Sequence, residues 1–103
     1  MSDIAKLSHT AALILQTIEN GCSYGFDIMD ATGLPSGTVY PALRRMETEG
    51  LIGSQWESGK KAVAEQRPPR KYYRVTRIGA QVLEQSQKRY PLVGKLAAEK
   101  PGR

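Results

Sequence analysis

Apolar positions set out the elements of this chain. Ala11, Ile14, Leu15 and Ile18 fall at i, i+3, i+4 and i+7, one stripe of an amphipathic helix. Ser8 is placed to cap it and Gly21 to stop it, which predicts a first helix over about residues 8–20. A second, shorter helix is expected over about 24–32. Ser23 would cap it, Asp27 would lie near its positive end, and Phe26, Ile28 and Met29 would give it apolar surface before Thr32-Gly33. Leu34-Pro35-Ser36-Gly37 reads as a turn. Thr38, Val39 and Tyr40 then open a third helix that ends at Gly50. Its inner face is Val39, Leu43 and Met46; Thr38, Arg44, Arg45 and Thr48 are left outward. Pro41 has no backbone donor, so it lies in the first turn or the helix bends there.

From Leu51 the period shortens to two. Ile52-Gly53-Ser54-Gln55-Trp56 and Lys71-Tyr72-Tyr73-Arg74-Val75 alternate as strands, with Tyr73 and Val75 on one face and Tyr72 and Arg74 on the other. Residues 58–69 carry no apolar stripe and predict a loop of about a dozen residues, stiffened by Pro68-Pro69. Thr76 can cap a last helix whose stripe begins at Ile78, Val82 and Leu83. Tyr90, Leu92, Val93 and Leu96 extend the apolar character past Pro91, which must kink that helix or divide it. Lys100-Pro101-Gly102-Arg103 is expected to fray. The order α-α-α-β-β-α, mainly helical with a small hairpin, is that of a winged helix-turn-helix. Residues 1–76 would form the DNA-binding part and residues 77–103 a C-terminal helix and tail, together one compact unit.

Composition narrows the function. A chain of 103 residues, 40% hydrophobic, has room for one core. Its longest apolar run, Ala11 to Leu15, is far short of the ~18–20 residues of a membrane span and follows Asp3 rather than a basic leader, so a cytoplasmic protein is expected. One Cys (Cys22) and one His (His9) exclude an intrachain disulfide and leave almost no material for a zinc site or a hydrolase triad. No paired carboxylates and no phosphate-cradling Gly loop are evident, so the expectation is a non-enzyme without metal or cofactor.

Charge is divided along the chain. Residues 1–35 hold one base and four acids, a net of −3, whereas residues 58–77 hold seven bases and one acid, a net of +6. Such polarity suits a polyanion, although a basic run by itself is more often a solvated surface. Its setting here shifts that balance. The second helix of a helix-turn-helix can enter the major groove, and its N-terminus suits phosphate. Ser36, Gly37 and Thr38 lie at that end. Tyr40 is a candidate DNA contact or a packing tyrosine; Arg44 and Arg45 are candidate contacts or solvated cations with Glu47 and Glu49 as counter-charges. Arg67, Arg70 and Lys71 would grip the duplex backbone from the wing, with Tyr24 a further candidate. This assignment requires Ser36 and Thr38 to face the same way as Arg70 and Lys71. Trp56 and Tyr73 read as packing residues, Tyr72 stays ambiguous, and His9 and Cys22 carry no special role.

The run Leu34-Pro35-Ser36-Gly37-Thr38-Val39-Tyr40-Pro41-Ala42-Leu43-Arg44-Arg45-Met46-Glu47-Thr48-Glu49-Gly50-Leu51-Ile52 closely resembles the recognition-helix segment of PadR-type transcriptional regulators. Ser23-Tyr24-Gly25-Phe26-Asp27-Ile28 resembles the family's second helix, and Arg67 to Thr76 with Gly79 its returning wing strand. The resemblance spans about residues 7–90. It implies a DNA-binding repressor, dimeric through its C-terminal helix with help from the first, and an effector, often a small aromatic molecule, that weakens DNA binding. Two features depart from the pattern. Ser58–Gln66 lengthens the wing tip, and Tyr90 followed by Pro91 stands where many members carry a Trp, so an aromatic-sandwich drug site is not carried over.

A dimer also follows from size. One small module covers only about 600–1,000 Å² of DNA, and two copies add contacts at a spacing of about 34 Å. Leu83, Tyr90, Val93 and Leu96 would exceed what a three-helix core covers and form the dimer face. The reading is therefore a sequence-specific DNA-binding regulator acting as a homodimer on double-stranded DNA, away from membranes. The alternative is a winged-helix module that binds protein instead.

Overall fold

The computed structural model describes residues 6–99. The stretch expected to fray, Lys100 to Arg103, lies outside them. Helix α1 spans His9–Glu19, capped by Ser8, whose hydroxyl accepts from the Ala11 N–H. Of its predicted stripe Ile14, Leu15 and Ile18 are buried at the centre of the molecule, whereas Ala11 is half-buried and Ala12 is buried in its place. Helix α2 spans Gly25–Thr32 and ends on Gly33, whose φ of 74° is the left-handed turn that glycine adopts without strain. Ser23 does not cap α2. The capping position is Tyr24, and the Ser23 carbonyl instead accepts from the Tyr73 N–H at 2.7 Å.

Helix α3 spans Ser36–Thr48, so it opens two residues earlier than the apolar pattern suggested. Pro35 ends the turn, and Ser36, Gly37 and Thr38 form the first helical turn. Pro41 therefore sits in the second turn, not the first. Val39, Leu43 and Met46 enter the core as expected.

Strands β1 (Ile52–Trp56) and β2 (Lys71–Val75) pair antiparallel, with Ile52 opposite Val75, Ser54 opposite Tyr73 and Trp56 opposite Lys71. A single bridge between Tyr24 and Tyr72 adds a short third rung, which ties the start of α2 to the wing. The connection between the strands is not a plain loop. Ser58 accepts from the Lys61 N–H and starts α4, Gly59–Ala64, which buries Ala62. Six residues with one buried position leave no stripe to recognise, although Ser58 is an ordinary cap and Lys and Ala favour helix.

Thr76 caps α5 (Arg77–Arg89), and Pro91 begins a separate α6 (Pro91–Ala98). Gly79 is where α5 meets the chain just before β1: a Cβ there would fall on the Leu51 carbonyl, so only glycine permits the approach. Helices α5 and α6 fold back onto α1. Gln87 donates to Gln16, Gln16 to Asn20, and Asn20 to the Leu96 carbonyl at 3.0 Å, a chain of partly buried amides linking three helices.

This packing corrects the expected dimer face. Leu83 is 3% exposed and Val93 is fully buried in the chain's own core. Tyr90 is also engaged internally; its hydroxyl donates to the Leu7 carbonyl and its ring stacks on His9 at 4.9 Å. Leu96 is half-buried. The large apolar side chains that α5 and α6 leave outside are Ile78 and Leu92. Helix α1 covers the apolar faces of α5 and α6, so the chain hides them without a partner. No helix among the described residues is long and apolar enough to cross a membrane.

Candidate nucleic-acid interface

An α-helix turns about 100° per residue, so residues four apart share a flank. Ser36, Tyr40 and Arg44 form one stripe along α3, and Glu47 closes it. That stripe borders the wing. Glu47 accepts from the Ser54 hydroxyl of β1 and lies 3.5 Å from the Lys71 ammonium of β2. The Ser54 hydrogen bond, with Lys71 adding to it, holds the Glu47 carboxyl below its ordinary value against the cost of desolvation. Glu47 is thus a clamp between recognition helix and wing, not a counter-charge for Arg44 or Arg45.

Thr38 belongs to the other flank. It shares a stripe with Ala42 and Arg45, which line a hollow with Lys6, Leu7 and Ala11 beside α1. Ser36 and Tyr40 therefore stand on the wing side, and the expectation that Thr38 would join them there is not met. Thr38 is half-buried, whereas Ser36, Arg44 and Arg45 are exposed.

Tyr40, Arg70 and Lys71 meet in one cleft of about 600 Å³ between the start of α2, helix α3 and the outer end of the strand pair. Tyr24 and Phe26 contribute from α2, and Trp56 and Tyr73 from the strands. Tyr40 fits because residue 25 is glycine; a Cβ there would fall on its hydroxyl. The Arg70 guanidinium lies 4.2 Å over the Tyr24 ring, and Tyr24 meets Tyr72 edge-on at 5.6 Å. The Lys71 ammonium lies 5.9 Å from the Trp56 ring and 5.7 Å from Tyr73. Trp56, expected to pack, is 62% exposed and forms a wall of the cleft. Tyr73 is buried as expected, and that burial raises its phenol.

Arg67 departs from its expected role. Its guanidinium closes in a fork on both Glu57 oxygens and also reaches Glu65 at 2.9 Å. Only 17% of its side chain is exposed, so this cation holds the wing together and is not free for a phosphate. Glu57 also accepts from the Arg70 N–H at 2.7 Å. The Arg67 hydrogen bonds, helped by that backbone N–H, push the Glu57 carboxyl down to about 2. Glu57 escaped the sequence reading because its partner lies ten residues away across an element that was not foreseen.

Cys22 is partly buried, and desolvation followed by nearby Asp27 raises its thiol, so it is not an activated nucleophile.

Helices α2 and α3 joined by a Gly-Leu-Pro turn, with a paired-strand wing beside α3, define a winged helix-turn-helix. The sequence model of the transcriptional regulator PadR-like family matches residues 14–85, and the chain belongs to this family. Among solved structures it is similar to a PadR family transcription regulator from Clostridium difficile R20291, with 28% identity, a TM-score of 0.70, and coverage of 89% of this chain and 97% of that one. It is also similar to a PadR-like transcriptional regulator from Bacillus cereus, with 26% identity, a TM-score of 0.63, and coverage of 86% and 87%. Lactococcus lactis ZitR shares the fold at 18% identity and a TM-score of 0.68, the chain covering 62% of its length. No curated protein sequence matches the chain significantly.

Proposed function

We propose that this transcriptional regulator is a cytoplasmic repressor that binds a pseudo-palindromic operator as a homodimer, and that a small aromatic effector weakens its hold on DNA. The observation that supports DNA contact most is the shared cleft: Tyr40 of α3 and Arg70 and Lys71 of the wing line one surface. Ser36 and Arg44 extend Tyr40's stripe in both directions along α3. In this reading Arg44 reads base edges, Ser36 and the first turn of α3 meet phosphate, and Arg70, Lys71 and Tyr24 hold the neighbouring backbone. Thr38 contacts DNA only from the far flank of the helix tip. Arg67 braces the wing.

The dimer draws on the limited area of one module and on family membership. Ile78, Leu92 and Leu96 offer its apolar contacts, in place of the buried Leu83 and Val93.

A fluorescence-anisotropy titration with the region upstream of the protein's own gene tests the reading. Log K is expected to fall against log salt with a slope of about −0.9 per phosphate neutralised. Absence of binding at low salt overturns it, and salt-insensitive binding to a protein partner would favour the interaction-module alternative.

A further inference from the structure

We propose that helix α4, which lengthens the wing, is a grip on DNA in its own right: Lys60 and Lys61 hold phosphates outside the half-site that α3 and the Arg70–Lys71 edge address, without regard to base sequence. The inference rests on the DNA-facing role proposed above and adds a flanking contact to it.

The wing tip is built rather than slack. Ser58 caps α4, and Ala62 is its buried side chain. At the other end the Gln66 N–H donates to the Val63 carbonyl and the Arg67 N–H to the Ala62 carbonyl, both at 3.0 Å. These bonds close the helix through a left-handed Gln66, at φ 56°. A residue other than glycine keeps that conformation where its surroundings impose it, and Arg67 beside it is fixed by Glu57 and Glu65. Lysines carried on a preformed helix lose less freedom on binding than lysines on a mobile loop.

Charge and position select the partner. Residues 57–67 include two acids, Glu57 and Glu65, and Arg67 holds both. Lys60 and Lys61 are exposed and have no ion-pair partner among the described residues. Residues two apart on a helix lie on nearly opposite sides, so Lys60 faces away from the buried Ala62, and Lys61 stands on a flank. The strand pair ends at Trp56 and Lys71, so α4 lies beyond it, farther out along the wing than the Arg70–Lys71 edge. Trp56 before the helix and Arg67 after it line the same cleft as Tyr40, which makes α4 continuous with the proposed DNA-facing surface. A duplex carries a phosphate every ~3.4 Å along each strand, so a cationic surface that runs outward past the half-site meets further phosphates. Such contacts position a protein on the backbone and carry no sequence information.

Hydroxyl-radical footprinting and salt-dependent anisotropy on the duplex upstream of the protein's own gene compare the unaltered chain with Lys60→Gln/Lys61→Gln. The double variant should lose protection at the outer edges of the footprint and keep it inside. Its plot of log K against log salt should be shallower by about 0.9 for each lysine that engages a phosphate, and so by up to about 3.6 for the four lysines of a dimer. Operator and unrelated duplex should weaken by the same factor. Lys60→Arg/Lys61→Arg should restore both the slope and the edge protection. An unchanged slope, outer protection that persists in the double variant, or an altered ratio of operator to unrelated binding overturns the grip. In the unaltered protein, 15N amides of residues 60–62 should shift with the full duplex and stay still with one trimmed to the inner footprint. Amides unmoved by either duplex overturn the grip whether or not the variant folds. If the unaltered protein binds no duplex, the DNA reading falls and the α4 contact with it; if it binds and the double variant matches it, the α4 contact falls alone.

Discussion

Recognition helix and wing present their cations by different means. Helix α3 is anchored by apolar burial: Val39, Leu43 and Met46 go into the core and leave Ser36, Tyr40 and Arg44 on a fixed outer stripe. The segment from Glu57 to Arg70 buries one apolar side chain, Ala62, and is held by the Glu57–Arg67–Glu65 cluster. Between them stands the Ser54–Glu47–Lys71 clamp. Hydrophobic anchoring is indifferent to pH, whereas an ion pair is lost when its carboxylate is protonated. The two halves of the proposed DNA-facing surface should therefore be separable by conditions.

The largest effect should come from the helix anchor. Leu43→Ala removes a buried side chain beneath α3, and a loss of about 2–5 kcal/mol is expected in urea unfolding followed by circular dichroism. A loss below half a kcal/mol, well under the ~2–5 kcal/mol range, would show that α3 is not anchored by its apolar face.

Next is Arg44→Ala. It should cost about 1–3 kcal/mol of operator affinity and narrow the gap between operator and unrelated duplex, because Arg44 is exposed on the stripe proposed to read base edges. Arg67→Ala should weaken DNA binding through the wing's shape while preserving that gap. Equal loss of specificity in both would erase the distinction drawn between them.

Acid offers a milder test. The Glu57 carboxyl is depressed in the folded wing, so its contribution is present above the ordinary carboxylate range near 4.5 and is lost as pH falls toward about 2. Hydrogen exchange of the α4 amides should quicken over that window while α1 amides stay protected. Glu57→Gln should bring the same loosening at neutral pH. Concerted loss of protection in α1 and α4 would mean that the wing has no separate stability.

The smallest expected effect is at Gly25. Gly25→Ala places a Cβ against the Tyr40 hydroxyl, so the ring must turn aside while the helix can persist. DNA affinity should fall several-fold with little change in unfolding midpoint. Unchanged affinity would remove Tyr40 from the contact list.

Much of this surface was legible in the residues. The stripes of α1 and α3, the two paired strands, the Ser8 and Thr76 caps and the break at Pro91 each carry a local signal, and each is present. What escaped depends on distance or on rotation. Thr38 and Ser36 are two residues apart, so they lie on opposite flanks of a helix, and this only matters once α3 is known to start at Ser36. The Glu57–Arg67 fork and the Ser23–Tyr73 hydrogen bond join residues that no spacing rule connects. Leu83 and Val93 look surplus until α5 and α6 are seen folded back on α1.

The central claim is that the Ser36–Tyr40–Arg44 stripe and the Arg70–Lys71 edge engage one duplex together. It is tested most directly by adding the upstream duplex stepwise to 15N-labelled protein and following every amide. The account predicts that residues 36, 40, 44, 70 and 71 shift in concert and reach their end points at one stoichiometry. A stripe that shifts while the wing edge stays still, or the reverse, would contradict it.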